Sequence, residues 1–350
     1  MINFCTLFDS NYLTRGLALY ESLKNVCSAF DLYVVAFNED CYQFLKKAGL
    51  PHIIPISLHD FEDEELLKIK PSRSVAEYCW TCTPSVISYC IKSFGLSSCT
   101  YVDADMIFYD DPQIILNEAS NKSVIITEHR YSKEYDQSLT HGKYCVQFMY
   151  FKNDNKGISV LNWWRERCIE WCFARLEEGK FGDQKYLDNW PEQFAGIHVM
   201  KHEGGGIAPW NVQQYTCLGK GDNIYLKNKI TGEESPLIFF HFHGLKFFLN
   251  NVVSYAGTMY ELDNDVKELV FKPYVHGLSA IKRRVFAYDN SLNVDGAREI
   301  TPAKFKIFFG FLKELMVQFR TGKISFIQLL YLKINKHYHF CKLPIDGEAN

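Results

Sequence analysis

Short apolar segments alternate with amphipathic segments from the start of the chain to about residue 240. The apolar segments are rich in Val, Ile, Phe and Tyr and have lengths typical of buried strands. Between them, apolar side chains recur every three or four residues, which indicates helices with one buried face. Strands that alternate with helices predict an α/β fold with a parallel sheet. The predicted strands comprise residues 2–8, 32–37, 52–56, 100–108, 123–127, 146–151 and 237–240.

Capping residues, proline and glycine predict where the helices begin and end. Asn38 is a favourable N-cap for the helix after the second strand. The pair Thr83-Pro84 predicts a helix start, because proline is favoured at the first helical position, and Gly95 predicts the end of the same helix. A longer helix is predicted over residues 158–178 from its apolar periodicity.

Two carboxylates one residue apart, Asp103 and Asp105, interrupt the strand predicted at residues 100–108. Residues i and i+2 of a strand point the same way, so both carboxylates can reach one ion, and Ala104 is too small to obstruct a ligand. Mg²⁺ and Mn²⁺ prefer such oxygen ligands, and substrate phosphates commonly complete their coordination. The alternative is an ordinary turn at the end of a strand, where Asp is common.

A glycine-rich segment near the middle of the chain is a second candidate for ligand binding. Gly204, Gly205 and Gly206 precede Trp210 and Asn211. Glycines allow close approach of the backbone to a ligand, and a tryptophan ring offers a surface on which a sugar can stack. An ordinary surface loop explains the same composition equally well.

A third candidate follows the last predicted strand, where the chain continues His241-Phe242-His243-Gly244-Leu245-Lys246. A histidine at a strand end suits a metal ligand, and a lysine nearby supplies a cation for phosphate. The residues alone leave open whether His241 or His243 is the ligand.

The composition, 47% hydrophobic with 350 residues, is that of a globular protein with one large domain or a domain with an appendage. No apolar stretch has the length of a membrane span. The sequence enters a strand-like segment at once, without the pattern of a secretory signal, so we expect a cytoplasmic protein. Its twelve cysteines are scattered through apolar segments, which predicts free buried thiols.

Charge is distributed unevenly. The net charge of −3 argues against a nucleic-acid-binding protein. Residues 301–343, however, contain eight Lys and Arg and one Glu, so this segment has a net charge of +7 and the rest of the chain has a net charge of −10. Aromatic and aliphatic residues recur there at helical spacing. We therefore predict a basic amphipathic helical extension, residues 271–350, that docks peripherally on the inner membrane surface, after a catalytic domain of residues 1–270. Packing on that domain or a homodimer contact is the alternative.

Taken in order, five short motifs resemble those of the GT-A glycosyltransferases, within them the retaining family 8 that includes glycogenin and bacterial lipooligosaccharide galactosyltransferases. The similarity covers roughly residues 2–250 and implies the Rossmann-like fold of nucleotide-diphospho-sugar transferases. The matching segments are Asp9-x-Asn11-Tyr12, Tyr101-Val102-Asp103-Ala104-Asp105, Asp183-Gln184, Trp210-Asn211 and His241-x-x-Gly244.

The resemblance implies a metal-dependent enzyme that moves a hexose from a UDP-sugar to a saccharide, with retention of configuration. It implies Mn²⁺ or Mg²⁺ as cofactor, held by Asp103, Asp105 and His241. The acceptor, an oligosaccharide, is expected to be lipid-linked and to belong to bacterial surface polysaccharide assembly. The implied catalytic residues are Asp183 and Gln184; the implied donor-binding residues are Thr6, Asp9, Asn11, Tyr12, Asp103, Ala104, Gly244 and Lys246; and the implied acceptor-binding residues are Gly206, Trp210 and Asn211.

The chain departs from the family pattern at several places, including Phe247-Phe248 in place of Pro-Trp and a family arginine before the metal strand that has no clear match. Cys145-Val146-Gln147 stands where the family has Asn-x-Gly, and one residue instead of two separates Gly244 from Lys246.

Three other functions remain open. An inverting GT-A transferase would need a base such as Glu203 or Asp188; a sugar-binding protein could retain the fold without catalysis; and a sugar nucleotidyltransferase would need a glycine-rich loop with arginine that is absent after the first strand.

Overall fold

A computed structural model of the chain describes two compact units. The first contains Met1–His243 and Leu262–Asp295, and the second contains Gly244–Glu261 and the described residues from Gly296 onward. The first unit thus extends beyond residue 270, while the division into a catalytic domain and an extension stays a prediction. The described residues are 1–118, 121–221, 223–249, 251–257, 259–298 and, as backbone only, 340–342.

A seven-stranded sheet organises the first unit, with the strand order β3-β2-β1-β4-β7-β6-β8. β7 runs antiparallel to β4 and β6, and the other neighbouring strands are parallel. The predicted α/β fold with a mainly parallel sheet is therefore confirmed. The strands of this sheet are β1 (Ile2–Phe8), β2 (Phe30–Ala36), β3 (Ile53–Ser57), β4 (Ser98–Val102), β6 (Val124–Glu128), β7 (Tyr144–Lys152) and β8 (Ile197–Val199).

Helices follow most strands of the sheet, as the apolar periodicity predicts. β1 and β4 are fully buried or nearly so, and α5 and α8 pack with them in one apolar core that includes Trp164 and Trp190. The helices are α1 (Leu13–Val26), α2 (Glu39–Ala48), α3 (Leu58–Phe61), α4 (Glu64–Ile69), α5 (Val75–Phe94), α6 (Gln113–Asn117), α7 (Ser138–His141), α8 (Asn155–Glu170), α9 (Trp190–Gln193), α10 (Asn264–Val266) and α11 (Lys272–Tyr288).

Two predicted helix boundaries are wrong. α5 begins at Val75 rather than at Thr83, because Ser74 and Glu77 form a reciprocal capping box, and Pro84 lies inside the helix. The last helical residue of α8 is Glu170, because Trp171 adopts an extended conformation (φ −152°, ψ 121°), instead of the helix continuing to residue 178. The cap at Asn38, whose side chain accepts from the Cys41 N–H, is confirmed.

Short strands outside the main sheet form three smaller sheets among the described residues. β5 (Met106–Phe108) follows the Asp-x-Asp turn and pairs antiparallel with β12 (Phe239–His241). A separate sheet of the first unit contains β9 (Tyr215–Lys220), β10 (Asn223–Asn228) and β11 (Glu234–Pro236). The second unit contains a sheet of β13 (Lys246–Phe248), β14 (Val252–Ser254) and β15 (Phe340–Lys342).

The predicted basic tail, residues 301–343, lies outside the described residues except for β15. Within the described part of the chain, no helix is both long enough and apolar enough to cross a membrane. The cysteines whose side chains are described are all free thiols, and most are buried, as predicted.

Candidate metal and donor site

Three side chains that can ligate a metal converge at the carboxyl end of β4. Ligand atoms of Asp103, Asp105 and His241 lie within 4.8 Å of one another. His241 Nε2 is 3.2 Å from Asp105 Oδ1 and 3.8 Å from Asp103 Oδ2. Two carboxylates and one imidazole are a donor set that suits Mn²⁺ or Mg²⁺, so the residues present fit the ion that the motifs predict.

Strand pairing explains why residues so distant in sequence meet here. β4 ends at Val102, and the turn that follows presents both carboxylates before β5 begins. β12 pairs with β5 so that His241 lies opposite Met106, and the Phe242 N–H donates to the Asp105 carbonyl. The register of this two-stranded sheet therefore places His241, and not His243, in the cluster.

The three groups perturb one another electrostatically. Burial opposes ionisation of Asp105, but His241 outweighs it and lowers the pKa of this carboxyl to about 2. Burial also disfavours the charged imidazole, yet Asp105 raises the pKa of His241 well above its usual value. The pKa of Asp103 is raised by burial. One positive charge among two carboxylates leaves an anionic site that attracts a cation.

Asp183 is a buried carboxyl near this cluster. The Thr83 side chain neighbours both Asp183 and Tyr101, while its hydroxyl donates to the Cys79 carbonyl at 3.4 Å. The Tyr101 hydroxyl donates to Asp103 Oδ1 at 3.0 Å. Burial and then Asp103 raise the pKa of Asp183 to about 8. The Trp164 indole N–H, 2.9 Å from the Asp183 carbonyl, fixes the backbone of this residue. The structure thus brings Asp183 close enough to Asp103 for the two carboxyls to interact electrostatically.

Gln184 is next to Asp183 but is anchored separately. Its amide group donates to the His141 carbonyl at the end of α7, at 2.7 Å. The His141 ring lies 4.2 Å from that of Phe181, and Phe181 in turn neighbours Trp80. These aromatic side chains border the Asp183-Gln184 pair.

The predicted nucleotide loop lies between β1 and α1. Asn11 Nδ2 donates to Asp9 Oδ2 at 2.9 Å, so these two side chains fix each other. The Tyr12 ring is 42% exposed and available to a flat ligand. Burial, followed by the charge of Asp105, raises the pKa of Tyr12 to about 12. Thr6, by contrast, is fully buried in β1, and its hydroxyl has no hydrogen-bond partner among the described residues.

The three predicted acceptor-binding residues have clear structural contacts. Asn211 Nδ2 donates to the His129 and Gly206 carbonyls, and its Oδ1 accepts from the Ala208 N–H. Trp210 is only 4% exposed, and its ring lies 5.4 Å from the rings of both His241 and His243. Their role in acceptor binding stays a prediction.

The remaining predicted residues are placed as follows. Ala104 is buried between the two carboxylates of the cluster. Gly244, with φ +82°, and the exposed Lys246 belong to the second unit. Their assignment to the donor phosphates stays a prediction. The bases considered for inversion are engaged elsewhere: Asp188 accepts from Lys185 Nζ at 2.6 Å and from the Lys143 N–H, and Glu203 accepts from Asn228.

Three residues near the site were not assigned a role there from the sequence. Thr83 was interpreted as a helix start, although it lies on α5 facing Asp183. Arg15 is 3% exposed, and its guanidinium lies 4.4 Å from the centroid of the Tyr12 ring. An arginine three residues after an aromatic residue on a buried helix face is a detectable signal for such a stack. The third residue is Gln147, which the sequence analysis noted only because it differs from the family pattern.

Curated relatives identify the family of the chain. It is 30% identical over 283 residues to YfnD of Bacillus subtilis strain 168, an alignment that covers 79% of this chain and 88% of YfnD. It is 33% identical over 258 residues to YfnF of the same strain, covering 71% of this chain and 84% of YfnF. The chain belongs to the family of YfnD and YfnF. Both relatives are described as uncharacterized, so membership in the YfnD and YfnF family does not identify an activity.

None of the protein-family profiles compared with the chain matches it. Among solved structures, similar ones include the galactosyltransferase LgtC in complex with donor and acceptor sugar analogues, with 11% identity and a TM-score of 0.48 over 80% of this chain and 96% of LgtC. Another is apo mouse xyloside xylosyltransferase 1, with 11% identity and a TM-score of 0.39 over 57% of this chain and 85% of that protein. Both of these proteins are named as glycosyltransferases.

Proposed function

We propose that this protein is a metal-dependent glycosyltransferase that moves a hexose from a UDP-sugar to a hydroxyl of a saccharide acceptor, with retention of configuration. The observation that carries the proposal is the convergence of Asp103, Asp105 and His241 within 4.8 Å at the end of a buried strand. Open α/β sheets bind their ligands at the carboxyl ends of the strands, which is where this cluster lies. Asp183 adds a buried carboxyl that interacts electrostatically with Asp103.

In this reaction the bond between the anomeric carbon and the diphosphate oxygen breaks, and UDP leaves with the electron pair. The acceptor oxygen forms the new bond to the anomeric carbon, and its proton passes to the departing diphosphate. A divalent ion held by Asp103, Asp105 and His241 would neutralise charge on the diphosphate. Because the leaving diphosphate also takes the proton on the same face of the sugar, no carboxylate base on the opposite face is required.

The protein's own contribution near the reacting carbon comes from Asp183 and Gln184. The anomeric carbon acquires positive charge as the diphosphate departs, and a nearby carboxylate stabilises that charge. Asp183 holds its proton in the metal-free protein because burial and Asp103 raise its pKa to about 8. Positive charge that develops beside it favours the ionised form. The side-chain nitrogen of Gln184 is anchored by its hydrogen bond to the His141 carbonyl. The side-chain oxygen of Gln184 would then accept hydrogen bonds from the substrate.

On this proposal, the donor base lies against the loop of Asp9, Asn11 and Tyr12. The mutually bonded Asp9 and Asn11 side chains offer a fixed polar edge to a base, and the partly exposed Tyr12 ring offers a flat surface. The acceptor is proposed to be lipid-linked, in bacterial surface polysaccharide assembly. The basic composition of residues 301–343 supports peripheral contact with an anionic inner membrane surface.

We expect selective binding of uracil nucleotides. Calorimetric titration of UDP, GDP, CDP and ADP in the presence of Mn²⁺ should give the highest affinity for UDP by at least about tenfold, equivalent to about 1.4 kcal/mol. Equal affinities for the four nucleotides, or a preference for GDP, would contradict the assignment of the loop.

We also expect the product to keep the anomeric configuration of the donor. Asp188 and Glu203 are already bonded within the protein, which disfavours either as the base of an inverting reaction. The NMR coupling constants of the transferred sugar's anomeric centre in the glycoside product distinguish the two outcomes. An inverted linkage would contradict the proposed mechanism but not the proposed transfer.

A further inference from the structure

The imidazole of His241 is held on both sides. Its Nε2 faces the carboxylates, 3.2 Å from Asp105 Oδ1, while its Nδ1 lies 3.0 Å from Gln147 Oε1. Gln147 is fully buried and His241 is 6% exposed, so water does not compete strongly for this contact. The amide of Gln147 is therefore the fixed partner of the nitrogen that faces away from the metal cluster.

Ligation through Nε2 requires a lone pair on that nitrogen, so the proton of a neutral imidazole must be on Nδ1. An amide oxygen accepts a hydrogen bond from Nδ1–H, and partners of this kind orient metal-ligating histidines. We infer that Gln147 is a positioning residue that holds His241 in the tautomer and ring orientation presenting Nε2 to a divalent ion. This inference rests on the proposed function, in which His241 is a ligand.

Gln147 also contacts a second ligand residue through its backbone. The Asp103 N–H donates to the Gln147 carbonyl at 3.1 Å, at the end of the β4–β7 pairing. One residue of β7 thus sets the position of both Asp103 and His241, although it does not belong to the ligand set. A change of its side chain alone disturbs His241 and leaves the backbone contact to Asp103 in place.

The neighbouring backbone leaves room for this amide. A Cβ added to Gly206 would lie 3.2 Å from Gln147 Nε2 and 2.7 Å from Thr127 Cγ2, at a residue with φ +79°. A glycine at 206 is therefore favoured by its backbone conformation, and a side chain there would clash with Thr127 and crowd the Gln147 amide.

The test measures Mn²⁺ affinity directly, by electron paramagnetic resonance of free Mn²⁺ during titration of the protein without substrate. Gln147→Met retains the shape of the side chain but removes the acceptor, and Gln147→Asn withdraws the acceptor by one methylene. We expect both to weaken Mn²⁺ binding by about 10- to 100-fold. Gln147→Glu keeps an acceptor oxygen at the same distance and should bind within about threefold of the wild type or more tightly.

Gln214→Met is the matched control, because Gln214 bonds to the Arg130 and Asn211 carbonyls and does not touch the ligands. It should bind Mn²⁺ as the wild type does even if its melting temperature falls as much as that of Gln147→Met. Wild-type affinity in both Gln147→Met and Gln147→Asn, or an equal loss in Gln147→Glu, would overturn the inference. If Asp103→Ala abolishes Mn²⁺ binding in the same experiment, the metal site stands even when the inference fails. Unchanged binding in Asp103→Ala would overturn both.

Discussion

Replacing Asp103 or Asp105 with asparagine or alanine is expected to lower turnover by at least about 100-fold, equivalent to about 2.7 kcal/mol of transition-state stabilisation. The reason is that, in the proposed function, these carboxylates would supply two of the three ligands for the ion that neutralises charge on the leaving diphosphate. Asp103→Asn is the cleaner variant, because its amide oxygen still accepts from the Tyr101 hydroxyl, which lies 3.0 Å from Asp103 Oδ1 in the wild type. Steady-state release of UDP at saturating Mn²⁺ measures the effect.

The control for this prediction is Asp110→Asn, at a carboxylate near the end of β5 that accepts only from the neighbouring Asp111 N–H among the hydrogen bonds described. It should retain wild-type turnover. Circular dichroism should show that all the variants are folded. Full turnover in folded Asp103→Ala and Asp105→Ala would contradict the assignment of these residues.

Replacing Asp183 with asparagine is expected to lower turnover by about 100-fold, because a neutral amide does not stabilise the positive charge at the anomeric carbon. The same change is also expected to stabilise the metal-free protein relative to the wild type, by an amount that grows as the pH rises. The folded protein keeps the Asp183 proton up to a pKa of about 8, whereas the unfolded chain releases it near 3.8, the ordinary pKa of an aspartic acid side chain. Between these two values the folded state binds more protons, so the free energy of unfolding of the wild type falls with rising pH.

Thermal unfolding in chelator at pH 5, 7 and 9 measures this second effect. The melting temperature of Asp183→Asn minus that of the wild type should increase from pH 5 to pH 7 and level off above about pH 8, since both states then have an ionised carboxyl. A difference that is constant with pH would show that Asp183 is ionised in the folded protein. Wild-type turnover in the variant would exclude Asp183 from catalysis.

The sequence predicted those parts of the site that depend on neighbouring residues. Asp103 and Asp105 are one residue apart, so their proximity is local, although a turn between β4 and β5, and not the continuous strand predicted at residues 100–108, presents them. Asp9 and Asn11 are equally close, and their mutual hydrogen bond is a local contact. His241 was assigned by resemblance to a family, and the pairing of β5 with β12 explains why it reaches the carboxylates.

Contacts between distant strands and helices could not be predicted in this way. The role of Gln147 depends on the register of β7 against β4, which the sequence does not reveal. Thr83 was misinterpreted because a threonine before a proline is typical of a helix start, whereas the capping box at Ser74 begins α5 two turns earlier. The raised pKa of Asp183 likewise depends on burial, which is a property of the folded chain.

The most direct test of the proposed activity is the release of UDP from a panel of UDP-hexoses, measured for the wild-type protein with Mn²⁺ and with chelator. Even without the natural acceptor, water can accept the sugar slowly, so UDP should form from at least one donor. We expect this release to require Mn²⁺ and to be absent in Asp103→Ala. Release that is undiminished in chelator, or no release and no thermal stabilisation with any UDP-hexose, would contradict the proposal that this protein is a metal-dependent, UDP-sugar-using glycosyltransferase.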